Sequence, residues 1–350
     1  MFEELGFETL TPVTASIIFA LVIGVIFGAI GQHTKFCFRR GVVGEPAERK
    51  SARGVWFTGL AAAIIGTQLM VANDIISFAD HRFFVSDVPL IAIALGGLLF
   101  GAGMVLTRGC VSRLTVLTGT GNTRALIVLI VFAITAHAAL KGILAPVRVW
   151  AGSFTVDFGQ TVSFAQLPGG AILWTAILAL GAVSLAYKSG AKPTHLALAA
   201  ILGLLVPLSW AGTGYILFDE FDPIAMQSLS FTSPSADVLF WAVASTAIPA
   251  GFGVGLIGGV IAGSAVASLI KSEFQWQSFE TPQQTRRYLS GAILMGLGGV
   301  LAGGCTVGAG LGGIPTLSFA AILALAFITI GAITTRRMLE GGIQRTPAFA

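Results

Sequence analysis

A chain of 350 residues in which 55% are hydrophobic and only 10% charged cannot cover itself for water, since a soluble domain has about a quarter of its residues charged. Its mean hydropathy of +0.88 and apolar segments recurring from residue 14 to residue 335 leave no room for a sizeable soluble domain. One integral membrane domain over 1–350 is expected, with membrane lipid around it. The net charge of +4 calls for no nucleic-acid partner, because the Lys and Arg lie in short loops and not along one stripe.

In chain order, the opening MFEELGFETL is acidic and lacks the positive region and small-residue cleavage site of a signal peptide, so a retained N-terminus is expected. Segments long enough to cross roughly 30 Å of hydrocarbon follow near 14–31, 54–72, 88–106, 123–145, 168–187, 195–217, 251–270, 288–302 and 316–335. The run 288–302 is short and 88–106 is rich in glycine, so either is a candidate for a broken or re-entrant helix. A further piece, DVLFWAVASTAIPA at 237–250, is too short to span and reads as a half-helix or an interfacial one. The expected fold class is an all-α membrane protein of about nine transmembrane helices plus short or broken helices.

Orientation follows from the positive charges. The loop 32–53 holds Lys35, Arg39, Arg40, Arg49, Lys50 and Arg53; Lys188 and Lys192, then Lys271, Arg286 and Arg287, and in the tail Arg336, Arg337 and Arg345, mark further cytoplasmic positions. Acidic stretches, with Glu3, Glu4 and Glu8 at the N-terminus, Asp74, Asp80 and Asp87 in 73–87, and Asp219, Glu220 and Asp222 in 218–236, fall on the other side. Nine crossings in a bacterial inner membrane, with the N-terminus periplasmic and the C-terminus cytoplasmic, satisfy the alternation. The six tryptophans, Trp56, Trp150, Trp174, Trp210, Trp241 and Trp276, fit interface belts.

Sliding the sequence by 195 positions lays GGLLFGAGMVLTRGCV (Gly96 to Val111) on GAILMGLGGVLAGGCT (Gly291 to Thr306). Gly96, Gly101, Gly103, Gly109 and Cys110 then coincide with Gly291, Gly296, Gly298, Gly304 and Cys305. In the nine-span topology the copies run in opposite directions, which reads as an internal inverted repeat with halves near 14–145 and 195–335. A weaker echo of GVIFGAIGQHTKFCFRRG at GGVIAGSAVASLIKSEFQW conflicts with this, because the topology gives both segments the same direction.

The chain has three cysteines, an odd number without C-x-x-C or metal-ligand spacing, which argues against a disulfide framework and a zinc site. Buried cysteine often packs as a small hydrophobe, yet all three sit at glycine- or arginine-marked helix ends. Glycines there let backbone N–H groups converge on an anion, and in lipid such backbone is tolerated only when covered by protein or lining a wet cavity. RGC with TGTGN, and GGCTVGAGLGG, therefore read as loops lining a pathway, with Arg39, Arg40, Arg108 and Arg113 supplying positive potential. His137 and Lys141, one turn apart, are a candidate relay or a locally satisfied pair. A thiol offers a weak S–H donor and a polarizable surface, which suits an anion carrying a soft terminal sulfur, such as thiosulfate, better than sulfate or phosphate. Candidate pathway residues are Cys37, Cys110, Cys305, Arg108, Gly109, Gly304, Thr306 and Arg39. Two other readings are a thiol redox or persulfide-transfer protein and, with His33, a soft-metal transporter.

The elements KFCFRRG, RGC and GGCTVGAGLGG on a nine-span chain resemble the YeeE/YedE (TsuA-type) family of bacterial inner-membrane proteins. The resemblance implies uptake of thiosulfate into the cytoplasm, no cofactor and no enzymatic activity. It implies that Cys37, Cys110 and Cys305 line the route and hand the ion on through S–H···S contacts. The leading expectation is a permease with Cys110 and Cys305 at the central constriction and Cys37 toward one mouth. Some relatives work with a small TusA-like sulfur-carrier protein.

Overall fold

The computed structural model describes residues 10–343 other than 80, 85 and 160. Glu3, Glu4, Glu8, Asp80 and Arg345, used above for orientation, lie outside the described residues. Thirteen α-helices follow among them: α1 (Pro12–Thr34), α2 (Phe38–Val43), α3 (Pro46–Ala72), α4 (Leu90–Leu106), α5 (Val111–Gly119), α6 (Thr123–Lys141), α7 (Ala145–Gly152), α8 (Gly170–Tyr187), α9 (Pro193–Ala211), α10 (Thr232–Val243), α11 (Phe252–Ile270), α12 (Pro282–Leu301) and α13 (Phe319–Ile343). A two-residue ribbon, Asp87–Val88 against Val156–Asp157, is the one sheet among the described residues. Nine segments are long and apolar enough to cross a membrane among the described residues.

The protein is thus an all-α, multi-pass membrane protein, and its spans match those read from the hydropathy. Two details are corrected. The segments 88–106 and 288–302 are continuous as α4 and α12; the break comes after each, at Arg108–Cys110 and Gly303–Cys305. The RGC and GGC stretches also do not open into loops. They turn at once into α5 and into a wide helical turn over Thr306–Gly313, because a buried backbone must satisfy its own N–H and C=O groups.

Helices here cannot gain by leaving water for lipid, so they associate by close packing at small residues. Parallel α1 and α11 meet along a glycine seam: a Cβ at Gly24 or Gly28 would strike the α11 backbone near Leu256–Val260, and one at Gly255, Gly259 or Gly263 the α1 backbone at Ile17, Leu21 or Val25. Parallel pairing recurs for α3 with α9, where Gly203 sits against the Gly59 carbonyl, and for α4 with α13 at Gly101 and Gly331. By contrast α4 and α12 cross antiparallel, Gly96 facing Ala302 and Gly103 facing Gly291. These directions agree with alternating crossings. They also account for the weaker echo, since α1 and α11 run the same way and share glycines because they pack on one another, not because one inverts the other. At Gly258 a Cβ would meet nothing within 4 Å. Gly258→Ala is therefore expected to leave thermal stability within about 0.5 kcal/mol of the parent, measured by unfolding in detergent.

The tryptophan expectation holds only in part. Trp150 and Trp276 are exposed, as belt residues should be, but Trp56 and Trp210 are only 1% and 4% exposed and belong to the core. The 237–250 piece is half-helical: α10 has twelve residues and ends at Val243.

Candidate functional site

The three cysteines are placed by one local device used three times. Each follows a long helix closed by a residue in the left-handed region, then one spacer, then the cysteine as N-cap of a short helix. Lys35 (φ 51), Arg108 (φ 57) and Gly303 (φ 73) hold the left-handed position; Phe36, Gly109 and Gly304 are the spacers; Cys37, Cys110 and Cys305 begin α2, α5 and the 306–313 turn. Glycine takes a left-handed φ freely, whereas Lys35 and Arg108 carry a strain of about 1 kcal/mol or more each. At Gly304 a Cβ would lie 2.9 Å from the Ala309 nitrogen, so no side chain fits beside Cys305.

All three thiols are free and buried, with exposures of 3%, 0% and 0%. Cys37 Sγ lies 4.0 Å from Cys110 Sγ, and Cys110 Sγ lies 3.2 Å from the Ser112 hydroxyl. Cys305 Sγ instead accepts from the Gly308 N–H at 3.4 Å. The grouping expected from sequence is therefore revised: the thiol in touch with Cys110 is that of Cys37, not Cys305. An aromatic linkage joins the two sites. Phe38, next to Cys37, packs on Trp56 with ring centroids 4.7 Å apart, and a Cβ at Gly310 would lie 3.2 Å from the Trp56 ring. Phe27 leans on both Phe36 and Phe231. This ring cluster is not singled out by the sequence, because its members are spread over α1, α2, α3 and the segments before α2 and α10, and phenylalanine is common in this chain.

The other candidates divide. Thr306 is buried with its hydroxyl lacking a partner, and Arg39 has a buried Nε with none. Arg108 is exposed. Arg113 and Arg40, expected to supply free potential, are engaged: Arg113 Nη1 donates to the Gly31 carbonyl at 3.0 Å and to Gln32 Oε1 at 3.3 Å, and Arg40 donates to the Lys35 carbonyl and pairs with Glu48 at 2.7 Å. Both close the end of α1 and so fix where Cys37 points. TGTGN likewise serves packing, with Thr120 and Gly121 bonded to the 275–277 backbone. Since Arg113 touches α1 through two bonds, Arg113→Ala is expected to lower thermal stability by about 2 kcal/mol, read by unfolding in detergent.

A cavity of about 660 Å³, a vestibule reaching the 306–313 turn, lies among the segments that follow α3 and α9 and the start of α10. Its wall includes Ser77, His81, Gln227, Ser230, Asp237 and Gly308. Burial holds the Asp237 carboxyl above the usual carboxylate range, with Lys141 and His137 on α6 pulling it back. His137 itself stacks on Phe240 at 4.4 Å, so the pair His137 and Lys141 sits against α10, within electrostatic range of Asp237. An anion entering by this cavity would pass the Asp237 carboxylate, and protonation would remove that negative charge. Anion entry should rise as pH falls toward the raised carboxyl range, and Asp237→Asn should be a few-fold faster at neutral pH with the dependence flattened, in an initial-rate pH profile. Among the described residues no group of three or more His, Cys, Asp or Glu could hold a metal ion.

A model of the family described as sulphur transport matches residues 33–334. The chain is 24% identical over 326 residues to a protein named "Thiosulfate transporter TsuA" from Spirochaeta thermophila, an alignment covering 89% of this chain and 95% of that protein. It is also 24% identical over 360 residues to a protein of the same name from Escherichia coli, covering 95% and 97%.

Proposed function

Since the chain belongs to the YeeE/YedE sulphur-transport family and is a transporter, not an enzyme, we propose that it carries thiosulfate or a closely related sulfur anion into the cytoplasm past Cys305, Cys110 and Cys37. The observation that carries this is the contact of two buried free thiols at 4.0 Å, each beginning a short helix. A terminal sulfur leaving one thiol is already against the next. Thiols are weak donors, so the ion is held by several modest contacts in turn, and conduction needs such multi-site binding that still permits release. The N–H groups of α5 and of the 306–313 turn lie next to Cys110 and Cys305, and helix N-termini favour negative charge.

The ion enters through the vestibule, meets Cys305 at the 306–313 turn, and leaves past Cys110 and Cys37. The basic loops 32–53 and 271–287 then face the cytoplasm, where a small TusA-like sulfur carrier is the natural recipient. The antiparallel crossing of α4 and α12, and the matching parallel pairs α1 with α11 and α9 with α3, support two inverted halves near 14–145 and 195–335. In that relation α9, not α11, is the counterpart of α1.

The test is growth on thiosulfate as sole sulfur source in a bacterium lacking its own uptake. The chain should restore growth, and thiol methylation of the protein in vesicles should stop uptake. Uptake that survives full methylation of all three cysteines sinks the relay.

A further inference from the structure

At the end of the bundle opposite the vestibule, four guanidinium groups gather with few acids to balance them. Arg39 on α2 has Arg108, Arg336 and the buried Tyr288 within electrostatic range, and Arg287 has Arg108 and Tyr288 within range. The four come from different elements: α2, the bend after α4, the first turns of α12 and the last turns of α13. Arg336 is the only one of them in an ion pair among the described residues, with Glu340, and it also donates to the Val43 carbonyl at 2.6 Å. Arg39 and Arg287 each keep a buried Nε atom with no partner. Tyr288 is held by an edge-on contact with Phe279, centroids 5.7 Å apart.

Nothing in folding favours this arrangement by itself. Like charges repel, and a buried guanidinium N–H without an acceptor loses its hydration for no return. Surface positive charge facing the cytoplasm needs neither burial nor convergence from four elements. The missing component is an acceptor with several oxygens, which the planar fork of arginine recognises in pairs of parallel bonds. The cluster also sits next in line after Cys37, whose chain neighbour but one is Arg39, and beside Cys110, which follows Arg108 by two.

We propose that Arg39, Arg108 and Arg287, flanked by Arg336 and with the Tyr288 hydroxyl, form an exit site that holds the oxygen-bearing end of a multiply charged tetrahedral oxyanion after its sulfur has passed Cys37 and Cys110. This rests on the transport reading above. The division of labour is chemical: thiols handle the soft sulfur within the membrane, and guanidiniums take the hard sulfonate oxygens where water returns. The site does not need a terminal sulfur, so it accepts sulfate as well as thiosulfate. The same chemistry would suit a lipid phosphate, and the test separates the two.

Sulfate binding to the purified full-length protein is measured by titration calorimetry in nanodiscs of phosphatidylcholine. The Arg39→Gln/Arg287→Gln variant should bind sulfate at least about tenfold more weakly, the scale of one lost charge-assisted hydrogen bond, and Gly258→Ala, at a position with open space around it, should bind it as the parent does. Tyr288→Phe, which keeps every charge and the ring packing, should weaken it by a few-fold and stays informative if the double variant fails to fold. Unchanged affinity in the folded arginine or tyrosine variants overturns the site. Sulfate affinity that collapses when phosphatidylglycerol replaces phosphatidylcholine assigns the cluster to lipid headgroups and overturns it as an exit site. If instead sulfate binds as expected while the cysteine variants take up thiosulfate normally, the transport path is wrong and the anion site is no longer its exit.

Discussion

Cys110→Ser is expected to cut thiosulfate uptake by at least about tenfold, a barrier increase of about 1.4 kcal/mol, without changing the amount of folded protein. Cys110 is fully buried and touches both Cys37 and Ser112, so it has contacts on either side. Serine is shorter and presents a hard oxygen, which withdraws the polarizable surface from a soft sulfur and opens the gap to Cys37. The fold should not suffer, because Cys110 makes no side-chain cap bond to α5 and serine is a favoured N-cap residue. Cys305→Ser should act similarly. Steps in series are limited by the highest barrier, so the double variant should be little slower than the slower single one. Uptake measured per folded protein checks both statements.

Gly28→Leu is expected to have the largest structural effect. A Cβ there would collide with the Val260 carbonyl and lie 2.9 Å from the Ser264 nitrogen, so a leucine side chain forces α1 and α11 apart along their whole seam. Overpacking costs about 1–3 kcal/mol where side chains can yield; here the obstacle is backbone, and the cost should reach or pass the top of that range. The α1 helix also carries Cys37 beyond its end. The expected outcome is little monodisperse protein extracted from membranes, against a normal yield for Gly258→Ala, as seen by size-exclusion chromatography. A normal elution profile for Gly28→Leu would show that the seam does not hold the helices together.

Much of this fold is legible in the sequence because hydrocarbon imposes a length on every crossing. The nine spans and the pairing of RGC with GGC need only hydropathy and spacing. The short helices after the cysteines were misread as open loops, since GGCTVGAGLGG has the glycine content of a loop, and only burial of its backbone forces it into a turn of helix. The left-handed Lys35 and Arg108 were also hidden, because neither residue type advertises that conformation. Likewise Arg40 and Arg113 look like free charges until their carbonyl partners are seen. The Cys37 and Cys110 contact bridges 73 positions, and nothing local to either residue encodes it. Arg287 reads only as a cytoplasmic charge until Arg108 and Arg39 are brought within range of it and of Tyr288.

The most direct measurement is uptake of labelled thiosulfate into vesicles containing the parent chain or its Cys110→Ser/Cys305→Ser variant, with excess sulfate as competitor. The parent should accumulate thiosulfate with little inhibition by sulfate, since passage depends on a soft sulfur and not on charge alone, and the double serine variant should fall to near the level of empty vesicles. Normal thiosulfate uptake by the double serine variant would contradict the account, as would sulfate being carried as readily as thiosulfate by the parent.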